Sequence, residues 1–432
     1  MLLEHLRPLL SNTAATRLCI AYSGGLDSTV LLDGVAALLP ALSTFGTVEL
    51  SALHVHHGLS ANADAWPVHC VEQCRRRRVP LSVERVNVVV DGAGLEAAAR
   101  KARYEAFARL DADYVLLAHH QNDQAETLLF NLLRGAGVLG AAAIPARQER
   151  LLRPLLDCSR EELQAYAGAH DLVWIEDESN ASLSHSRNYL RHKVLPLLQE
   201  RFAGASGSLA RAAEHFAQTQ QLLEEVAIED GAAETPLAIE LLASLLAAKG
   251  KARAMNALAF NLRKQGVRLP SRQWLEQAFR QLLVAGSDRQ IRLLAGDIVV
   301  RRYQGKIYVA PTANTPLPVA TPWHGESLVS WGDGCIHAYP SKAVGINSAV
   351  LSERCELRLR QGGELMQLAG KPHRPLKDLL REAGIPPWHR TRLPLLFRGE
   401  ELVWVPGVGI AEKYRCKAEE DGISLEFACP NW

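Results

Sequence analysis

The segment Ser23-Gly24-Gly25-Leu26-Asp27-Ser28 constrains this chain more than any other stretch. Residues 18–22, just before it, are apolar and free of turn residues, and read as a buried strand. Residues 29–39, just after it, have the length and composition of a helix. A strand, a Gly-Gly turn and a helix start together make a seat for an anion. The glycines let backbone approach a ligand closely, and the first N–H groups of a helix have no partner within it. Two hydroxyls and a carboxylate flank the turn, which suits phosphate oxygens together with a metal ion. A Ser-Gly-Gly string alone is only a turn; the strand and helix on either side make it a phosphate loop. No Gly-x4-Gly-Lys-Ser/Thr string occurs. The loop therefore holds phosphate without a lysine of its own, which suits a leaving pyrophosphate better than transfer of a terminal phosphoryl group.

The chain is 432 residues long, enough for about two to four domains, each with its own core. Its formal net charge is only +1, so a nucleic-acid surface must be a local patch. The eight cysteines are scattered without a CxxC pair, which argues against zinc, iron–sulfur or disulfide scaffolding. The first ten residues lack the apolar run and cleavage site of a secretory signal, and no apolar stretch reaches membrane-spanning length. These features predict a cytoplasmic protein with no membrane partner.

The first half alternates strand and helix, with strands expected over 48–55, 81–90 and 114–118 and helices over 63–78, 96–110, 122–133 and 159–170. This pattern predicts an α/β, Rossmann-like parallel sheet, in which ligands sit beyond the carboxyl ends of the strands. Each strand of this half is expected to end in chemistry, at Ser23, His56, His119 and Glu176. From about residue 208 the texture changes to successive helices over 208–229, 237–249, 251–265 and 271–283, followed by strands with a hairpin turn at 302–306. A Pro/Thr-rich stretch, 311–322, reads as a linker before a β-rich end with one helix near 376–383. The expected domains are a catalytic domain at 1–207, a mainly helical one at 208–318 and a small α+β one at 319–432.

Ser23-Gly24-Gly25-Leu26-Asp27-Ser28 resembles the signature of the PP-loop (N-type) ATP pyrophosphatases, which split ATP into AMP and pyrophosphate. Within that superfamily, residues 54–59 (His-Val-His-His-Gly-Leu), 96–104, 119–127, 134–137, 153–156, 177–180, 187–191, 386–388 and 394–397 resemble, in order, the motifs of tRNA(Ile)-lysidine synthetases. The resemblance implies ATP-dependent joining of free L-lysine to C2 of the wobble cytidine in the isoleucine tRNA with a CAU anticodon. The cytidine is first adenylated, and lysidine, AMP and pyrophosphate result. It implies ATP and Mg2+ as cofactors, and leaves a homodimer open as the assembly. Where the family usually has two adjacent acids, this chain has Asn122 before Asp123. Residues 181–186 lack the acidic and aromatic residues common there.

For the nucleotide, the candidates are Ser23, Gly24, Gly25, Leu26, Asp27, Ser28 and His56, although His56 and His57 are also what a strand end would show. For catalysis they are Asp27, Asp123, Glu126, Arg100 and Arg103, and for a metal Asp27 and Asp123. Asp123 and Glu126 lie three apart on an expected helix, hence on one face, able to ligate Mg2+ or to orient the lysine amine. The bland alternative is a solvated acidic face. Arg100 and Arg103 share a face with Glu96, so they either form intrahelical ion pairs or reach the ATP phosphates. Asp177 is a candidate for the ammonium of lysine. For tRNA the candidates are Arg187 and Arg191, then Lys371, Arg374, Lys377, Arg381, Arg390 and Arg392, interleaved with His373, Trp388 and His389. Positive charge beside planar groups suits phosphates and stem shape; an ordinary basic surface is the alternative. The run Arg75–Arg78 reads as a helix end first and a backbone contact second.

Two other functions compete. A tRNA thiolase of the same superfamily needs a sulfur-carrying cysteine, and only Cys70 and Cys74 are close together, on a helix expected to lie away from the strand ends. A non-catalytic tRNA-binding protein has no use for Asp27, Asp123 and Glu126 together.

Overall fold

The computed structural model describes residues 15–42, 47–58, 64–89, 94–176, 186–284, 291–312, 316–352 and 354–429. The chain divides into two compact units, Met1–Leu222 and Leu223–Trp432.

The first unit is built on strands β1 (Ala15–Ala21), β2 (Thr47–His56), β3 (Leu81–Arg85), β4 (Tyr114–Leu116), β5 (Arg147–Gln148) and β6 (Leu151–Leu152). Among the described residues they form one sheet in the order β3-β2-β1-β4-β6-β5, parallel except for the edge pair β5–β6. Leu18, Cys19 and Ile20 on β1 are all buried. A central parallel strand is covered on both faces, so its sequence reads as a continuous apolar run rather than an alternating one. Helices α1 (Leu26–Leu42), α2 (Trp66–Arg76), α3 (Leu95–Arg109), α4 (Gln121–Leu133) and α5 (Arg160–Ala169) connect and cover the sheet. Val30, Leu31 and Val35 of α1 share a core with Leu163 and Ala167 of α5. Ala106 and Phe107 of α3 pack with Cys19, Leu53 and Leu117 in another. Strand order runs outward from β1 to β2 on one side and to β4 on the other, so the crevice between β1 and β4 is a topological switch point.

One expected strand end is corrected. Residues 172–176 are not a strand: they run as irregular chain beside the phosphate loop, with Ile175 N–H donating to the Gly24 carbonyl at 2.9 Å. The strand beside β4 is β6 instead, and Arg153 follows its last residue, Leu152. A two-residue strand is too short to show a period, which is why it escapes sequence patterning.

After β6 and α5, helical turns at Ser186–Tyr189, Leu190–Val194 and Leu195–Arg201 lead into the long helix α6 (Ala205–Glu229). The second unit continues with β7 (Leu237–Ala238), α7 (Ile239–Lys249), α8 (Lys251–Lys264), α9 (Arg272–Val284), β8 (Arg292–Ala295), β9 (Ile298–Tyr303) and β10 (Lys306–Pro311). Leu237 and Ala238 were expected to open a helix; they pair with Ile307 and Lys306 instead, adding an edge strand to the antiparallel sheet β7-β10-β9-β8. Leu242, Leu258 and Phe279 of the helices bury against Val300 and Ile307 of that sheet.

Among the described residues, the C-terminal part carries two further antiparallel sheets and one hairpin. Its strands are β11 (Thr321–Trp323), β12 (Leu328–Trp331), β13 (Gly334–Lys342), β14 (Ile346–Asn347), β15 (Cys355–Arg358), β16 (Leu365–Gln367) and β17 (His373–Pro375). Helices α10 (Leu376–Glu382) and α11 (Pro387–Arg390) follow, then β18 (Leu395–Arg398), β19 (Glu401–Val405), β20 (Gly409–Ile410) and β21 (Asp421–Ala428). The sheets β11-β15-β18-β19-β20 and β12-β13-β21-β14 share a core around Trp323, Leu396 and Val403. Leu376, Leu379 and Leu380 turn one face of α10 into that core, at the helical spacing the sequence displays. Among the described residues no helix is long and apolar enough to cross a membrane.

Candidate active site

The phosphate loop leaves β1 at Tyr22 and enters α1 at Leu26. Gly24 has φ +86°, and a Cβ there would sit 3.1 Å from Cys70 Sγ and 3.2 Å from Ile175 Cδ1. Both the backbone conformation and the space therefore require glycine. The hydroxyls are tied inward: Ser23 Oγ and Ser28 Oγ lie 3.0 Å apart, Ser28 donates to the Gly25 carbonyl at 3.1 Å, and Thr29 donates to the same carbonyl at 2.9 Å. The loop is thus shaped before any ligand arrives. Behind it lie His54, whose Nδ1 is 3.0 Å from the Tyr22 carbonyl, and Cys70, whose Sγ is 3.4 Å from that nitrogen. Cys70 was expected to lie away from the strand ends. The fold instead carries its helix across the back of the loop, and burial pushes the thiol up to about 12.

Asp27 lies in the first turn of α1, where helix N–H groups favour negative charge. Its Oδ1 is buried and has no hydrogen-bond partner. Burial pushes its carboxyl above the usual range, with His120 pulling the other way. His120 caps α4, accepting from Asn122 N–H at 3.2 Å while Asp123 accepts the His120 N–H at 3.0 Å. That reciprocal cap turns the imidazole into the crevice, where Nε2 lies 3.6 Å from both Asp27 Oδ2 and Asp123 Oδ2. The two expected metal carboxylates, one from the β1 loop and one from the β4 loop, are thereby brought to one imidazole.

Glu126, one turn along α4, is 2% exposed. Arg191 holds it with Nε to Oε1 at 2.6 Å and Nη2 to Oε2 at 2.9 Å, and reaches Asp123 Oδ1 at 3.1 Å. Burial alone would raise Asp123, but His120, His119 and Arg191 together hold it below the usual carboxylate range. Arg187 donates to Thr127 Oγ1 at 2.5 Å. Arg191 sits in a π turn, Leu190–Val194, an irregularity often found at functional positions. Both arginines proposed for tRNA therefore face α4, and Arg191 completes the acidic cluster. Asn122 turns away from it: Oδ1 accepts the Arg160 N–H at the start of α5, at 3.3 Å.

On the other side of the crevice, Arg103 approaches His57 Nε2 at 3.3 Å and Arg100 donates to Tyr104 Oη at 2.9 Å. Both arginines are exposed. Arg153, at the end of β6, is 3% exposed; it donates to the Pro145 carbonyl at 2.7 Å, and its Nε is buried without a partner. Burial drives His57 and His119 down to about 4, with nearby arginines adding to the effect, so both rings are neutral near pH 7. His56, expected at the nucleotide, is buried and pairs with Asp64 at 3.1 Å. Asp177 and residues 178–185 lie outside the described residues, as does the side chain of Glu96. Sequence reasoning gave no role to His120, Arg153 or Tyr104. The signals were a histidine at a helix cap and an arginine directly after an apolar pair.

In the C-terminal part the six expected cations separate into groups. Arg374 pairs with Glu382 at 2.5 Å and Arg381 with Asp378 at 3.3 Å. Lys371 and Lys377 are exposed, and Arg392 is half-buried. Arg390 turns inward, with Nε to the Ile385 carbonyl at 2.8 Å and Nη2 to Tyr303 Oη at 2.7 Å.

Three family models match the chain: a PP-loop domain over residues 2–198, the TilS substrate binding domain over 241–308 and the TilS substrate C-terminal domain over 355–427. Curated relatives match along nearly the whole length. A tRNA(Ile)-lysidine synthase of Aromatoleum aromaticum is 41% identical over 418 residues, covering 95% of this chain and 96% of the relative. Those of an Azoarcus species and of Alkalilimnicola ehrlichii are 42% and 43% identical, covering 95% and 94% of this chain and 91% and 94% of theirs. With the PP-loop crevice, its carboxylates and all three modules present in order, the chain belongs to the tRNA(Ile)-lysidine synthase family.

Proposed function

We propose that the chain ligates free L-lysine to C2 of the wobble cytidine of the CAU-anticodon isoleucine tRNA, consuming ATP and releasing AMP and pyrophosphate. The product pairs with A rather than G and moves the tRNA from methionine to isoleucine. The observation that carries the reading is the pairing of a lysine-free phosphate loop with the Asp27–His120–Asp123 cluster across the β1–β4 crevice, in a chain about 40% identical to named lysidine synthases.

The chemistry runs in two steps. Oxygen on C2 of cytosine is a poor leaving group, so it first attacks the α-phosphorus of ATP, and pyrophosphate departs. The ε-amine of lysine then attacks C2, the C2–O bond breaks, AMP leaves and the nitrogen loses a proton. Residues 23–28 hold the departing pyrophosphate. Asp27, whose Oδ1 has no partner, and Asp123 offer the hard oxygen ligands that Mg2+ takes together with phosphate oxygens and water. The ion neutralises charge on the phosphates when bound. Arg100 and Arg103 serve the charge that develops on leaving groups. Asp123 and Glu126 orient the amine of lysine; Arg191, which occupies both carboxylates, must share them or shift when that ammonium arrives. The exposed cations of the C-terminal part grip the tRNA. The domain limits 1–207, 208–318 and 319–432, a cytoplasmic location and a homodimer belong to the same reading.

Thiolation fits less well, because Cys70 beside the loop is fully buried with a thiol far from ionising at neutral pH. The test is incubation with ATP, Mg2+, labelled lysine and individual tRNAs. Lysine should enter the CAU-anticodon isoleucine tRNA alone, with one AMP formed per lysine. Absence of label in that tRNA, or sulfur transfer in its place, overturns the reading.

A further inference from the structure

The second unit contains two family modules, one matched over residues 241–308 and one over 355–427. The tip of the β9–β10 hairpin meets α10 and α11.

Six side chains make that contact. Gln304 and Gly305 form the two-residue turn, with φ +44° and +72°, the left-handed pair that a tight hairpin demands and that favours Asn-Gly or Gly-Gly. Glutamine is a costly choice there. Its side chain makes a contact that Asn or Gly could not: Nε2 donates to the Arg381 carbonyl at 3.0 Å, in the last turn of α10, where that carbonyl also accepts the Gly384 N–H at 3.1 Å. Gly384, whose φ of +73° favours glycine, lies alongside it. Tyr303 Oη accepts from Arg390 Nη2 at 2.7 Å, and Arg390 is itself anchored to the Ile385 carbonyl. Trp388 stands edge-on to Tyr303 and Tyr308, at centroid distances of 6.1 and 5.7 Å. The Arg301 guanidinium lies 4.9 Å from the Trp388 ring centre. Stacked cations and edge-on rings are directional contacts, so they hold an orientation as well as an area.

We propose that Arg301, Tyr303 and Gln304 on the hairpin, with Trp388 and Arg390 on the facing helix, lock the middle sheet to the C-terminal domain and so set the span over which the chain holds its tRNA. They are positioning residues: Trp388 and Arg390, which the sequence alone groups with the tRNA patch, act on RNA only through the orientation of that patch. The proposal rests on the reading that the C-terminal domain grips tRNA away from the anticodon.

The test compares full-length isoleucine tRNA with its isolated anticodon stem–loop as lysine acceptors. The double variant Tyr303→Phe with Gln304→Gly removes both hairpin hydrogen bonds while relieving the backbone at residue 304, so it should fold; its melting midpoint checks this. Wild type should prefer the full tRNA. In the variant that preference should fall at least tenfold through KM for the full tRNA, while the stem–loop rate stays within twofold and proteolysis within 311–322 accelerates. Arg301→Gln, which removes only the cation over Trp388, should move the same ratio in the same direction. A preference that survives in both variants, or rates that fall equally on both RNAs, overturns the joint. Equal wild-type rates on the two RNAs would remove the grip reading, and the joint with it.

Discussion

At the scale of single residues, the cluster is held together by charge that only folding brings into register. Glu126 is 2% exposed at its side chain and Arg191 30%. Burial pushes the Glu126 carboxyl up while Arg191 opposes it. Removing one partner of a buried pair typically costs about 3–5 kcal/mol, because the other charge is left alone. With its arginine partly solvated, Arg191→Met should destabilise the first unit by about 3 kcal/mol or somewhat less, at the low end of that range, read from the denaturation midpoint. Adding Glu126→Gln should recover much of the loss. If the double variant is no more stable than the single one, Arg191 does not act through Glu126. Asp123 and Glu126 were legible from their spacing of three on an expected helix. Their partner was not, since Arg191 is far away in sequence and sits in a π turn with no pattern to announce it.

Among elements, the helix starts show how local chemistry aims distant groups. Ser159 opens α5 with a reciprocal cap: its Oγ accepts Glu162 N–H at 3.2 Å, and Glu162 accepts Ser159 N–H at 2.7 Å. A serine at the head of an expected helix is a sequence mark of such a start, but its reciprocal partner Glu162 shows only in the fold. Ser159→Ala should cost about 1 kcal/mol, measured by thermal or urea unfolding, with ATP binding retained. A change within error would mean the cap is redundant, with Asn122 already holding the Arg160 N–H. The start of α4 uses the same device with His120 and Asp123, but there the capping groups also face the crevice, so stability and function share the same atoms. By contrast, β6 and β7 are two residues each. They exist because neighbouring strands offer an edge, and no period within two residues can reveal that.

Across the whole molecule, a near-neutral chain must concentrate positive charge to hold RNA. Arg374 and Arg381 form exposed pairs with Glu382 and Asp378. Such pairs add little to stability in water, so phosphates can displace the carboxylates. Changing both arginines to Ala should weaken tRNA binding and reduce the slope of log affinity against log salt by about one for each phosphate left unneutralised, with ATP binding intact. An unchanged slope in a filter-binding or fluorescence titration would take these two out of the interface.

The loop, the order of βα units and the shared face of Asp123 and Glu126 on α4 were present in the linear chain, because each depends on spacing within one element or on residues adjacent along it. Opposite this stand the meeting of Asp27 with Asp123 at His120, the closing of Arg191 on α4, the placement of Cys70 behind Gly24 and the turning of Arg390 and Trp388 into the hairpin. These depend on which elements become neighbours, and long-range packing and the desolvation of charge choose the neighbours. The six-residue loop that identified the chemistry is therefore a local fact, whereas the electrostatics that surround it exist only in the folded chain.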